Sequence, residues 1–159
     1  MSVTVRVASP ADAPLILQFI RDLAEYERLL HEVEVTEADL RRDLFGENPR
    51  CYCDIAENDG QPVGFALWFY NYSTFRGQAG IYLEDLFVEP GARGAGAGKA
   101  LLSRLAQRCV DADLGRLEWS VLNWNAPSIA FYDSLGAVAK DDWTVRRLDG
   151  EALVRLAGR

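Results

Sequence analysis

Cysteine, histidine and long apolar runs are all scarce in this chain, and each shortage removes a class of explanation. Its 159 residues hold three cysteines and one histidine. Cys51 and Cys53 stand two apart in a strand-like stretch, so both side chains project from one face and cannot readily bridge each other. Cys109 falls in a helical pattern among Leu105, Ala106 and Val110, where core packing accounts for it. A Cys-x-Cys pair with His31 as sole histidine is a poor donor set, so no metal is expected. No apolar run approaches the roughly 20 residues that span a bilayer. The first residues, Ser2-Val3-Thr4-Val5-Arg6-Val7, alternate like a strand instead of forming a basic-then-apolar leader. A cytoplasmic protein is the expectation. Positive charge is short as well: 17 basic against 24 acidic residues leave a formal net charge of −7. That argues against nucleic acid or an anionic membrane as partners and is compatible with a cationic small molecule.

What remains reads as one globular domain spanning residues 1–159, with 49% hydrophobic and 26% charged side chains. Residues 2–8 predict a strand. Ser9-Pro10-Ala11-Asp12 opens a helix, Ser9 as its cap and Pro10 at the first helical position. Leu15, Ile16, Phe19, Ile20 and Leu23 carry that helix toward Leu30. Thr36-Glu37-Ala38-Asp39 starts a shorter one ending near Gly46. Strands over 51–57 and 62–72 flank the turn Asn58-Asp59-Gly60, and a third over 80–88 stops at Pro90. A helix over about 96–112, a strand over 116–122 and a helix from its cap Asn125 to Leu135 follow. The pattern ends with a strand over 143–148 and room for a short helix over 151–156. This order is that of a mixed α/β (α+β) domain with helices covering a sheet.

The stretch Arg93-Gly94-Ala95-Gly96-Ala97-Gly98-Lys99 lies between a strand and an amphipathic helix. Glycines there let the backbone turn tightly and aim several N–H groups at one spot, and the helix start adds about half a positive charge. Such a turn seats a phosphate or pyrophosphate, with Arg93 and Lys99 able to add charge; it also serves simply as a tight connection. It is not a P-loop, since Lys99 is followed by Ala100. A dinucleotide fingerprint fits poorly, because the turn follows a meander of strands and does not open a βαβ unit.

These residues resemble a known family. Arg93-Gly94-Ala95-Gly96-Ala97-Gly98 matches the Arg/Gln-x-x-Gly-x-Gly/Ala motif of the GNAT acetyltransferases. Residues 82–88 (Tyr-Leu-Glu-Asp-Leu-Phe-Val) and 124–132 (Trp-Asn-Ala-Pro-Ser-Ile-Ala-Phe-Tyr) look like its diamine (spermidine/spermine) and thialysine acetyltransferase branch. So do Leu23-Ala24-Glu25-Tyr26-Glu27 and Thr36-Glu37-Ala38-Asp39-Leu40. The similarity covers nearly the whole chain in order. It implies the GNAT fold: a mixed, mostly antiparallel sheet with helices on both faces, its central strands splayed near Val88 to admit acetyl-CoA. It also implies a homodimer. The turn Arg93, Gly94, Ala95, Gly96, Ala97, Gly98 and Lys99 would hold the pyrophosphate, backbone groups of Leu86, Phe87 and Val88 the acetyl-pantetheine arm, and Asn125 and Tyr132 would contact CoA.

Acetyl transfer to an amine has a protonation problem: an alkyl amine is neutral in only about one molecule in 2,500 at pH 7, roughly 4.6 kcal/mol of cost. Something must accept that proton, and the departing thiolate needs one back. In strict alternation Glu84 shares a strand face with Tyr82, Leu86 and Val88, a carboxylate among apolar neighbours, although a bulge would change that parity. Burial there makes a better base; a structural ion pair or an edge position is the plainer alternative. The resemblance makes Glu84 the proton acceptor, through water. Tyr132 falls on an apolar stripe with Ile129 and Leu135, which core packing would explain, and by resemblance it is the general acid that protonates the CoA sulfur. Tyr26, Glu27, Glu84 and Asp85, with Glu25, would form an acidic, aromatic-lined amine pocket; Glu25 and Glu27 equally suit the solvated face of an ordinary helix. Ser73 and Phe75 would help read the amine, Ser73 standing where polyamine-acetylating relatives tend to carry an acidic residue.

The expected function is acetyl-CoA-dependent N-acetylation of a small cationic amine by direct attack in a ternary complex. Cys51 and Cys53 lack an adjacent histidine, so a covalent enzyme intermediate has no obvious nucleophile. Acetylation of a protein amine, or a non-catalytic acetyl-CoA-binding module, are the alternatives. A binder would need neither Glu84 nor Tyr132.

Overall fold

The computed structural model describes residues 2–159. The chain falls into two compact units, one ending at Leu122 and the other comprising Asn123–Arg159.

The first unit is built on a five-stranded sheet in sequence order: β1 (Val3–Val7), β2 (Tyr52–Asn58), β3 (Gln61–Ser73), β4 (Gln78–Val88) and β5 (Leu117–Trp119). The first three pairings are antiparallel and β4–β5 is parallel. Partners across an antiparallel pair project to the same side, so register assigns the faces. Cys53 with Leu67 and Ile55 with Phe65 take one face, where α1 (Ala13–Tyr26) and α2 (Glu37–Phe45) supply Ile16, Phe19, Leu40 and Leu44 to a common core. Phe19 stacks on Phe65 at 5.5 Å between ring centroids and leans on Phe87 at 6.1 Å. The other face carries Asp54, Ala66 and Trp68, and α3 (Ala97–Asp111) packs there through buried Leu101, Leu102 and Leu105.

Local chemistry explains where the helices begin. The Asp12 carboxylate accepts from the Ser9 N–H at 2.7 Å and is held by both terminal nitrogens of Arg6, fixing the turn that opens α1. Thr36 and Asp39 exchange bonds at the start of α2, as a capping box requires. The end of α1 differs from expectation. It stops at Tyr26, short of Leu30, because Arg28 adopts φ 62°, the Arg28 N–H returns to Glu25 O and the Leu29 N–H to Ala24 O. This is a helix-ending motif usually signalled by glycine, and here no glycine announces it.

The second unit contains α4 (Ala126–Ser134) and α5 (Gly150–Leu156). Asn125 caps α4 by accepting from the Ser128 N–H at 3.4 Å, as expected. The expected last strand over 143–148 is absent, and residues 137–149 carry no regular element beyond isolated turns. Alternating side chains alone do not make a strand; its backbone groups need a neighbouring strand, and no ladder reaches this stretch among the described residues. β5 is likewise shorter than the seven residues foreseen, covering only Leu117–Trp119. No helix among the described residues is long and apolar enough to cross a membrane.

Candidate active site

The site grows from one irregularity in β4. Trp68 pairs with Leu83 and Leu67 with Asp85, so Glu84 is an extra residue, a β-bulge. The bulge shifts every later side chain by one step. Leu86 and Val88 pair with Ala66 and Gly64 on the α3 face, while Asp85 and Phe87 join Tyr82 on the α1 face. Glu84 therefore does not share a buried face with Leu86 and Val88; it is exposed. The carboxylate of this stretch that is partly withdrawn from solvent is its neighbour, the half-buried Asp85.

The same bulge marks where β4 and β5 part. Their parallel pairing covers Ile81–Leu83 against Leu117–Trp119 and stops there, so from Glu84 to Val88 the β5 side of β4 has no strand beside it among the described residues. This is the splay anticipated for the central strands. It leaves backbone groups of β4 facing an opening that an extended amide-bearing chain can enter as a strand would.

Around Asp85 the charges are all of one sign. Burial, then Glu84, then Glu27 push its carboxyl up to about 7. Glu27, just past the end of α1, is half-buried and its carboxyl is raised by that burial. The Cys51 thiol, also raised by burial, feels Asp43, Asp85 and Glu84. No basic side chain pairs with Asp85 among the described residues. A carboxyl poised near neutrality, beside two further carboxylates, is suited to attract an ammonium.

At the far end of the strand, the glycine-rich turn has the predicted form. Gly94 and Gly96 adopt φ of 88° and 90° with open space around each, so glycine is required there by backbone conformation and not by crowding. Gly96 starts the 15-residue α3 without a side-chain cap, leaving the first-turn N–H groups of Ala97, Gly98 and Lys99 without intrahelical acceptors. These groups fit the pyrophosphate of acetyl-CoA. Arg93 also makes contacts that its motif does not announce. Its Nε donates to the Val88 carbonyl at 2.9 Å, and its guanidinium carbon lies 5.0 Å from the centre of the Tyr26 ring and 5.7 Å from that of Phe87. Asp22, Glu25, Tyr26, Phe87, Glu89, Pro90, Gly91 and Arg93 line a cleft of about 510 Å³. The sequence reading missed Asp22, Glu89 and the Phe87 ring; an aspartate four residues before Tyr26 was the available signal for the first.

Other expected residues take different places. Ser73 is buried, and its Oγ accepts from the Arg76 N–H, so it shapes the β3–β4 turn instead of reading an amine. Phe75, 99% exposed, lies in that turn beyond the end of β3 at Ser73, which is itself six residues and roughly 20 Å along the strand from Leu67, the partner of Asp85. The structure does not bring it to the carboxylates. In the second unit, Asn125 is buried at the start of α4, and Tyr132 is half-buried with its ring 5.6 Å from Phe131.

Comparison with known proteins agrees with this geometry. Residues 16–137 match the Acetyltransferase (GNAT) family. The chain is 39% identical to a thialysine N-epsilon-acetyltransferase of Sus scrofa, covering 99% of each. It is 38% identical to a human spermidine/spermine N(1)-acetyltransferase-like protein 1, over 96% of this chain and 23% of that much longer one. Among solved structures it resembles an integron cassette protein from the mobile metagenome of V. cholerae, with a TM-score of 0.82, 25% identity and 100% and 99% of the two chains covered. The chain belongs to the GNAT acetyltransferase family, whose co-substrate is acetyl-CoA, and is an N-acetyltransferase.

Proposed function

We propose that this enzyme transfers the acetyl group of acetyl-CoA to a primary amine of a small cationic acceptor of the polyamine, thialysine or lysine-like kind, by direct attack in a ternary complex. The observation that carries the reading is Asp85: a half-buried carboxyl on the α1 face of β4, raised to about 7, flanked by Glu84 and Glu27 and lacking a basic neighbour among the described residues. The names of the similar proteins, acting on thialysine or resembling spermidine/spermine acetyltransferases, point to the same class of acceptor.

In this reading the ammonium enters beside Asp85 and Glu27. Glu84, at the bulge and open to water, takes the proton through solvent while Asp85 holds the cation. The neutral nitrogen attacks the acetyl carbonyl, the N–C bond forms and the C–S bond breaks. Tyr132 gives its phenolic proton to the departing sulfur and regains one from solvent. Leu86, Phe87 and Val88 hold the pantetheine arm through backbone groups, Gly94 to Lys99 hold the pyrophosphate, and Asn125 contacts CoA. Tyr26 and Glu27 line the amine side. Both units serve one catalytic domain over 1–159, supported by a family match that runs unbroken past residue 123. A cytoplasmic homodimer belongs to the same proposal, on family resemblance alone; light scattering giving a monomer mass would remove the dimer.

The test is release of CoA thiol from acetyl-CoA against putrescine, spermidine, spermine, thialysine, lysine and a lysine-containing peptide. Turnover of a small amine, with the peptide inert, supports the reading; turnover of the peptide alone overturns it. Tyr132→Phe should leave CoA binding intact and slow turnover about 100-fold. An unchanged rate would remove Tyr132 from the mechanism.

A further inference from the structure

Arg93, expected to add charge at the pyrophosphate turn, also makes contacts away from that turn. Its Nε is committed to the Val88 carbonyl, at the end of the strand that meets the pantetheine arm. Its guanidinium plane is seated against Tyr26, the last residue of α1, and against Phe87 of β4. Those two rings form the aromatic part of the cleft, whose remaining charged lining is Asp22, Glu25 and Glu89. Phe87 and Asp85 project from the same face of β4, two residues apart and so about 7 Å along the strand. Tyr26 and Phe87, which line the cleft, thus stand next to Glu27 in sequence and two residues from Asp85 along β4, respectively. Among the described residues, the two terminal nitrogens of Arg93 make no hydrogen bond, which leaves them able to reach an anion on the turn while Nε stays in place.

We infer that Arg93 is a positioning residue shared by both substrates: by bridging the glycine turn, the Val88 carbonyl and the Tyr26 and Phe87 rings, it sets the wall against which the acceptor amine is held. This rests on the reading of the chain as a small-amine acetyltransferase and adds to it a residue that acts on the amine from the cofactor side. A lysine at position 93 would keep the positive charge for the pyrophosphate but lose the flat guanidinium and the Nε donor, and it cannot hold two rings and a carbonyl together.

Arg93→Lys, Tyr26→Leu and the double variant distinguish the roles. The expected result for Arg93→Lys is an amine KM raised about tenfold, with the dissociation constant of CoA changed by less than about threefold and the melting temperature unchanged. Tyr26→Leu should raise the amine KM similarly, and the double variant should be little worse than either single one, because both remove the same contact. If Arg93→Lys weakens CoA binding with the amine KM unchanged, or if the two changes multiply fully, the inference is overturned and Arg93 is a phosphate ligand alone. Calorimetric titration of the amine into CoA-bound protein gives the same comparison without turnover. A wild-type protein that binds the amine without acetylating it would therefore remove the function reading and leave this inference standing.

Discussion

Asp54, fully buried, and Asp85, half-buried, are carboxylates set on opposite faces of one sheet, and the fold treats them in opposite ways. Asp54 on β2 is 1% exposed and fully provided for: Arg108 of α3 clamps it through both terminal nitrogens and the Trp68 indole N–H donates at 3.2 Å. The Arg108 guanidinium also lies over the Trp68 ring at 5.0 Å, and the carboxylate raises its affinity for its proton. Asp85 has the reverse surroundings, two more carboxylates and no cation. A buried charge satisfied from within holds the structure together; one left facing like charges is held ready for a cation from outside.

The largest effect should come from breaking the first arrangement. Asp54→Ala strands Arg108 against the sheet and leaves the Trp68 N–H without its acceptor, at a cost of about 3 kcal/mol of unfolding free energy read from urea denaturation. A loss near zero would mean that solvent reaches Arg108 freely. Asp85→Asn should act with the opposite sign on stability and destroy function, lowering kcat/KM for the amine about 100-fold. Its folded-state value lies above the ordinary 3.8, so the folded protein holds an extra proton between the two values. That contribution to stability is complete below about 4 and fades as pH rises through about 7. The asparagine variant escapes the loss, so it should melt about 4 °C above wild type at pH 8, with the gap closing toward pH 4.

The same titration shapes activity. With wild-type enzyme, kcat/KM for the amine should climb as pH rises through about 7, because only the ionised Asp85 attracts the ammonium; in Asp85→Asn this limb should vanish. Persistence of the limb in that variant would assign it to another group. The smallest expected change belongs to Glu27→Gln. Removing one like charge should move the limb to lower pH, but burial is the leading cause of the shift, so the limb should stay above the ordinary carboxylate range. A move to higher pH would contradict the electrostatics described.

Much of this contrast was legible beforehand, and the exceptions share a cause. The hairpin around Asn58-Asp59-Gly60, the caps at Thr36 and Asn125, and the glycine turn ahead of α3 all depend on residues within a few positions of each other, and each was found where anticipated. The parity of β4 was not. The bulge at Glu84 exists only because Leu67 and Trp68 of β3 pair with residues 85 and 83, a relation between strands that no single stretch records. Strict alternation therefore set Glu84 among apolar neighbours, when it is Asp85 that is half-buried and Glu84 that is exposed. The end of α1 at Tyr26 escaped notice because Arg28 fills a position that glycine normally advertises. The motif places Arg93 at the glycine turn, while only the fold brings the Tyr26 ring from α1 against its guanidinium.

The sequence by itself determined the family, the order of the main elements and the glycine turn ahead of α3, because helix periodicity, caps and positive-φ glycines act over a few residues. Only the tertiary structure decided which carboxylate is withdrawn from solvent, where the pairing of β4 with β5 ends and which rings Arg93 meets. Burial and like-charge repulsion depend on side chains brought together from α1, β3 and β4, and that proximity exists only once the chain has folded.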